Sequence, residues 1–146
     1  MRRDLHTSPQ QAEQAFYDAF QKADLDAMMA VWAEDEEVYC VHPAGPRLST
    51  LDQIRDSWRS IFSAGATMRC TLVKSIQQRG ALLAVHSVYE QITVVGEPQP
   101  RGAVIATNIY LNTAGGWRMI AHHASPVASG ERVTEREAPR TPPILH

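Results

Sequence analysis

Asn108, Tyr110, His122 and His123 stand inside the apolar stretch AVIATNIYLNTAGGWRMIAHHASP, residues 103–126, whose β-branched and aromatic side chains predict two strands joined by a turn. Polar groups held in such strands need partners or a ligand. An imidazole can pass a proton near neutral pH, and an amide or phenol can steady charge that develops on an oxygen. His42, in the run CVHPAG, adds a third imidazole where a short strand ends. These residue types suit proton transfer, or recognition of a small ligand with few polar atoms.

A five-residue turn at 112–116 would set Leu111 opposite Trp117, Ile109 opposite Met119, Asn108 opposite Ile120 and Ala106 opposite His122. Alternation along each strand then collects Asn108, Tyr110 and His122 on one face, facing a pocket. His123 falls on the other face with Ile109, Leu111, Trp117 and Met119, an apolar set that predicts a homodimer across the sheet.

The elements that must position these residues are legible by period. Ser8 as cap, Pro9 at the first helical position and Gln11 three residues after Ser8 open a first helix with Ala12, Phe16, Ala19 and Ala23 at helical spacing. Asp24 opens a short second helix with Leu25, Met28 and Trp32 inward, followed by an acidic run, residues 34–37, read as a solvated turn. A strand over 38–42 comes next, stopped by Pro43, Gly45 and Pro46. Thr50 and Gln53 repeat the capping pattern ahead of a third helix striped by Leu51, Ile54, Trp58, Ile61 and Phe62. The period then becomes two: strands over 67–78 and 81–95 turn at Arg79 and Gly80, which would bring Arg69 opposite Glu90 and Val73 opposite His86.

The chain of 146 residues is long enough for one core, and its formal net charge of −2 comes from scattered charges that leave no footprint for nucleic acid or membrane. No apolar run reaches membrane-spanning length and no signal-peptide pattern follows MRRDLHTSPQ, so a cytoplasmic location is expected. Cys40 and Cys70 lie in separate apolar runs and read as buried reduced thiols. His42, His86 and His122 lack metal-ligand spacing, so no metal and no cofactor is expected. Domain organisation is an N-terminal arm (1–8), one domain (9–127) and a charged, Pro-rich tail (128–146), read as mobile, with docking of Ile144 and Leu145 on a neighbouring subunit as the alternative.

The runs ADLDAMMAVWAEDEEVYCVHPAG, the Ser57-Trp58 pair, ATNIY and GGWRMIAHHASP resemble the nuclear transport factor 2-like superfamily, above all its SnoaL-like and ketosteroid-isomerase-like members. The resemblance implies an α+β cone, a curved, mostly antiparallel sheet wrapped around three N-terminal helices in the order α-α-β-α-β-β-β-β, with an internal pocket and a dimer contact on the outer sheet face. It puts His42 at the position of the isomerases' carboxylate base. The oxyanion tyrosine of those enzymes matches Phe16, with Tyr17 beside it but roughly 100 degrees away on a helical wheel. Asn108 stands in the strand where those enzymes carry a protonated aspartate.

Three functions are compatible with these residues. One is a domain that binds a small apolar or partly polar organic molecule through Tyr17, Trp58, Asn108, Tyr110 and His122. Another is a cofactor-independent isomerase, cyclase or dehydratase in which His42 moves the proton. A third is a dimeric assembly domain without chemistry, whose interior is filled by its own side chains.

Overall fold

The computed structural model describes residues 6–128, 131 and 133. Three helices, α1 (Pro9–Lys22), α2 (Leu25–Val31) and α3 (Leu51–Ser63), are combined with six strands. The strands are β1 (Tyr39–Val41), β2 (Arg47–Leu48), β3 (Met68–Arg79), β4 (Leu83–Val94), β5 (Gly102–Thr113) and β6 (Gly116–Pro126). They form one sheet in the order β2-β1-β6-β5-β4-β3, antiparallel throughout except where β1 runs parallel to β6. This is the expected α+β cone with one addition: the two-residue strand β2 folds back on β1 after Pro43 and Pro46, too short to leave a period in the sequence.

Each helix starts where its capping residue dictates. Ser8, Asp24 and Thr50 accept the amide hydrogens of Gln11, Ala27 and Gln53 through their side-chain oxygens, each worth about 1 kcal/mol. The glutamines bond one residue earlier than the reciprocal capping box would have it: Gln11 Oε1 accepts from Thr7 N and Gln53 Oε1 from Ser49 N. The sheet curves around α1, which touches both β3 and β6, and this curvature buries a stripe two residues wide, with Glu13 and Tyr17 inward beside Ala12 and Phe16. Cys40 and Cys70 are both free and buried. Among the described residues no helix is long and apolar enough to cross a membrane.

Two registers differ from the expected ones. In the last hairpin Thr113 pairs with Gly116, so the turn is only Ala114 and Gly115, and Asn108 sits directly opposite His122. A bulge then follows: Ile109 pairs with Ala121 but Tyr110 with Met119, leaving Ile120 as the extra residue. The bulge rotates Met119 and Trp117 inward, where both join the core of the chain, so the apolar dimer face expected from strict alternation keeps Ile109 and Leu111 but loses Trp117 and Met119. In the β3–β4 hairpin Arg79 pairs with Ala84, so the turn spans residues 80–83 instead of two residues and sets Gln77 opposite His86; past a bulge between Val73 and Ile76, Leu72 faces Glu90 and Arg69 faces Thr93, not Glu90. Lys74 takes a positive φ of 52° in that bulge.

The expected arm at 1–8 is described from His6, whose carbonyl accepts from Trp117 N at 2.9 Å and ties the arm to the start of β6. Of the tail, Ala128, Glu131 and Val133 are described; the last two accept hydrogen bonds from Tyr89 and Gln91 on the outer face of β4. Ile144 and Leu145 lie outside the described residues.

Candidate functional site

Strand pairing lays a row of inward residues across the sheet. Cys40 neighbours His122, His122 neighbours Asn108, and Asn108 neighbours His86. Over this row lie Phe16 and Tyr17 from α1 and Ser57 and Trp58 from α3.

At one end is His42, half-buried just past β1, where Gly45 N donates to its carbonyl at 2.8 Å and closes a turn. Its Nε2 lies 2.9 Å from Ser57 Oγ, whose own hydroxyl reaches the Ile54 carbonyl at 2.7 Å, and 3.7 Å from Cys40 Sγ. The Trp58 ring meets the imidazole edge-on with centroids 4.8 Å apart. Burial lowers the His42 pKa, so the ring is neutral around pH 7 and can accept a proton. Burial also lifts the Cys40 thiol to about 12, with Glu90 adding to it, which keeps this neighbour protonated.

Behind His42, an interior hydrogen-bonded chain crosses from β6 to β4. His122 Nδ1 lies 2.6 Å from Asn108 Oδ1, Asn108 Nδ2 donates to the Tyr17 hydroxyl at 2.9 Å, and Tyr17 donates to Glu90 Oε2 at 2.5 Å. The His122 ring packs 4.9 Å from Phe16 and 6.2 Å from Trp58. Burial, with His42 and His123 nearby, drives the His122 pKa down to about 3, so this ring is neutral too. Glu90 is pushed up to about 7 by burial, against the Tyr17 hydrogen bond that favours its charge. Tyr17 is held well above its ordinary pKa, by burial first and then by Glu90.

A second buried pair stands beyond Asn108. His86 Nδ1 is 2.8 Å from Glu13 Oε2, and the Tyr110 ring lies 5.1 Å from the His86 ring. Burial raises the Tyr110 pKa well above its ordinary value, with Glu13 and Glu90 adding to the shift.

Of the residues expected at the site, Tyr17, Trp58, Asn108 and His122 are thus brought together with His42. Tyr110 shares their face but packs on His86, one group further along. His123 points outward and is exposed. Tyr17 is inward despite its angular offset from Phe16, because the curved sheet encloses two neighbouring positions of α1. Sequence reasoning missed Glu13, His86 and Glu90 as members of the interior. The signals existed: Ala84, His86, Val88 and Glu90 share one parity on β4, and Glu13 stands one helical turn before Tyr17.

One cleft borders these groups and another lies on the opposite face of the sheet. One of about 420 Å³ between α1 and β3 is lined by Gln10, Gln14, Gln21 and Leu72, with Glu13 and Tyr17 among its walls. The other, about 530 Å³, lies on the outer sheet face over Ile109, Ile120 and Ala121, rimmed by Glu37 and Arg47.

A family model described as the SnoaL-like domain matches residues 10–129. Among curated proteins none matches. A solved structure from Thiobacillus denitrificans ATCC 25259, a candidate calcium/calmodulin-dependent protein kinase type II association domain, is 41% identical, covers 85% of this chain and 98% of its own, and superposes with a TM-score of 0.76. A candidate dehydratase from the NTF2-like family of Streptomyces avermitilis is 29% identical over 81% of this chain and 92% of its own, with a TM-score of 0.74. An NTF2-like protein of unknown function from Pseudomonas putida KT2440, at 16% identity, covers 88% of this chain and 93% of its own with a TM-score of 0.71, and shares the fold.

Proposed function

Because the chain belongs to the SnoaL-like domain family of the NTF2-like superfamily, we propose that it binds a small, largely apolar organic molecule where His42 and Trp58 meet His122. The observation that carries this reading is the convergence itself: two neutral imidazoles and an indole face one another, backed by a hydrogen-bonded chain that ends at a buried carboxyl. His42 is the half-buried member and so the group an entering molecule meets first. Trp58 supplies an apolar wall, and its indole Nε1 is buried without a partner, which leaves a donor for a ligand oxygen. Native mass spectrometry of the purified protein tests the proposal: a retained small molecule, lost in His42→Ala, is the expected result, and a bare protein that also binds nothing from an aromatic fragment set refutes it.

Proton-transfer catalysis is the second reading, favoured by His42 being neutral at pH 7 and steadied by Ser57. It requires a substrate with an acidic C–H, His42 as base, and Asn108 or the Trp58 indole near the developing oxygen charge. The name of the Streptomyces structure, a candidate dehydratase, agrees with it.

Self-association is favoured by a different observation, the outer groove over Ile109 and Ile120, and by the name of the Thiobacillus structure. A homodimer through this face predicts that Ile109→Asp lowers the mass in sedimentation analysis to that of one chain; a wild-type protein already of that mass at micromolar concentration removes the reading.

A further inference from the structure

The chain from Glu90 to His122 has a direction, and the direction reaches the ligand site. Above its pKa of about 7 Glu90 is a carboxylate and can only accept, so the single proton of Tyr17 goes to Glu90 Oε2, 2.5 Å away. The Tyr17 oxygen is thereby left to accept from Asn108, whose Nδ2 lies 2.9 Å from it. An amide that turns its nitrogen to Tyr17 must turn its oxygen to His122 Nδ1, 2.6 Å away, and an amide oxygen cannot donate. His122 must therefore carry its hydrogen on Nδ1.

We propose that Glu90, acting through Tyr17 and Asn108, holds His122 as the Nδ1–H tautomer, so that the site beside Phe16, Trp58 and His42 presents a bare ring nitrogen and selects a planar, aromatic ligand bearing a hydrogen-bond donor. The claim rests on the ligand-site reading above and adds the chemical class of the ligand. His122 has only one proton to place, since burial keeps the ring neutral down to about pH 3. With that proton committed to Asn108, Nε2 holds a lone pair, and the geometry of an imidazole aims it away from Asn108. The rings of Phe16 and Trp58 pack against the imidazole with centroids 4.9 and 6.2 Å away, so the surroundings of this nitrogen are aromatic and apolar and match a flat apolar ligand in chemistry. Glu90, Tyr17 and Asn108 are positioning residues: their role is to decide which nitrogen of His122 is bare.

The test is a long-range 15N–1H correlation spectrum of protein labelled at histidine nitrogen, recorded at pH 8, where Glu90 is ionised. His122 should show the Nδ1–H pattern. Tyr17→Phe removes the hydroxyl that transmits the direction, frees the Asn108 amide to turn, and should convert His122 to a mixture of tautomers; Glu90→Leu, which removes the acceptor while filling its space, is the second variant should Tyr17→Phe not fold. An Nε2–H pattern in the wild type, or an unchanged pattern in the variants, overturns the relay. Phenol and anisole then probe selection: phenol donates, anisole cannot, and a donor meeting the lone pair of Nε2 should favour phenol by about tenfold. Equal affinities overturn the donor preference. Should neither probe bind while the Nδ1–H pattern stands, the ligand site itself is refuted; should both bind while the pattern fails, only the relay is.

Discussion

The Tyr17 hydroxyl meets Glu90 Oε2 at 2.5 Å, joining the first helix to the middle of β4 across 73 residues of chain. A hydrogen bond to a charged acceptor contributes about 1.5–3 kcal/mol when its partner is ionised. Yet the Glu90 pKa rises to about 7, so the cost of taking its charge out of water exceeds what Tyr17 returns. The pair therefore specifies geometry more than it stabilises the fold.

Replacement of Glu90 by Gln should remove the pH dependence that this carboxyl imposes. The folded-state pKa of about 7 stands above the ordinary 4.5, so the folded form binds the proton more tightly. Its stabilising effect is complete below about pH 4.5 and is lost as pH rises through 7. Over that window the wild type should lose on the order of 3 kcal/mol relative to Glu90→Gln. His122 acts in the other direction, its contribution appearing as pH rises from about 3 to 6.5, but it does so in both proteins and cancels in the difference. Urea denaturation at pH 5 and pH 8 measures the effect; a difference between the two proteins that does not grow with pH contradicts it.

The parity of each strand near the site could be read from sequence because it depends only on alternation: Asn108, Tyr110 and His122 are inward as expected. The register could not, since it was set by the turn length, and residues 112–116 permit a turn of five or of two. Neither bulge leaves a residue-type signature; Ile120 and Lys74 are ordinary strand residues. His86 and Glu90 went unrecognised for a physical reason. A charged residue in a strand is usually at the surface, and only the Glu13 and Tyr17 partners, far away in sequence, make their burial possible. The helix starts were legible because a cap and its first turn are local.

His42→Ala should separate function from folding. The side chain is half-buried and its polar contact is with Ser57, whose hydroxyl keeps the Ile54 carbonyl as partner, so the loss of stability should be about 1 kcal/mol or less. Ligand retention, or turnover of a substrate once found, should fall by at least about tenfold, the equivalent of one lost hydrogen bond in a desolvated site. Because burial depresses the His42 pKa, binding by the wild type should be flat through neutral pH and decline only below the ordinary imidazole range. Isothermal titration at several pH values checks both, and a midpoint above 6.5 argues against a neutral His42.

Gly116→Ala should loosen the N-terminal arm. Gly116 has a φ of +98°, and a Cβ there would come within 2.6 Å of the His6 carbonyl oxygen, which accepts from Trp117 N. Backbone strain and the clash act together, so a loss of about 2 kcal/mol or more is expected. Amide exchange at Trp117 should speed up by more than exchange in β4 does; uniform change across the sheet would mean that the arm is not what the substitution releases.

Ala23→Gly should be stabilising. Ala23 follows the last residue of α1 with φ 52° and ψ 42°, the left-handed conformation in which a Cβ crowds the backbone. The conformation is nonetheless required: Ala23 N donates to Phe20 O at 3.3 Å and Asp24 N to Ala19 O at 3.0 Å, the paired bonds that satisfy the end of the helix and aim Asp24 at its role as cap of α2. Glycine keeps both bonds without the steric cost and gives up little packing, since Ala23 is exposed. It also gains freedom in the unfolded chain, which offsets part of the benefit, and the net expectation is a gain of about 0.5–1 kcal/mol. Thermal unfolding checks it: a midpoint a few degrees above the wild type is expected, and a lowered midpoint would show that this turn is not left-handed in solution.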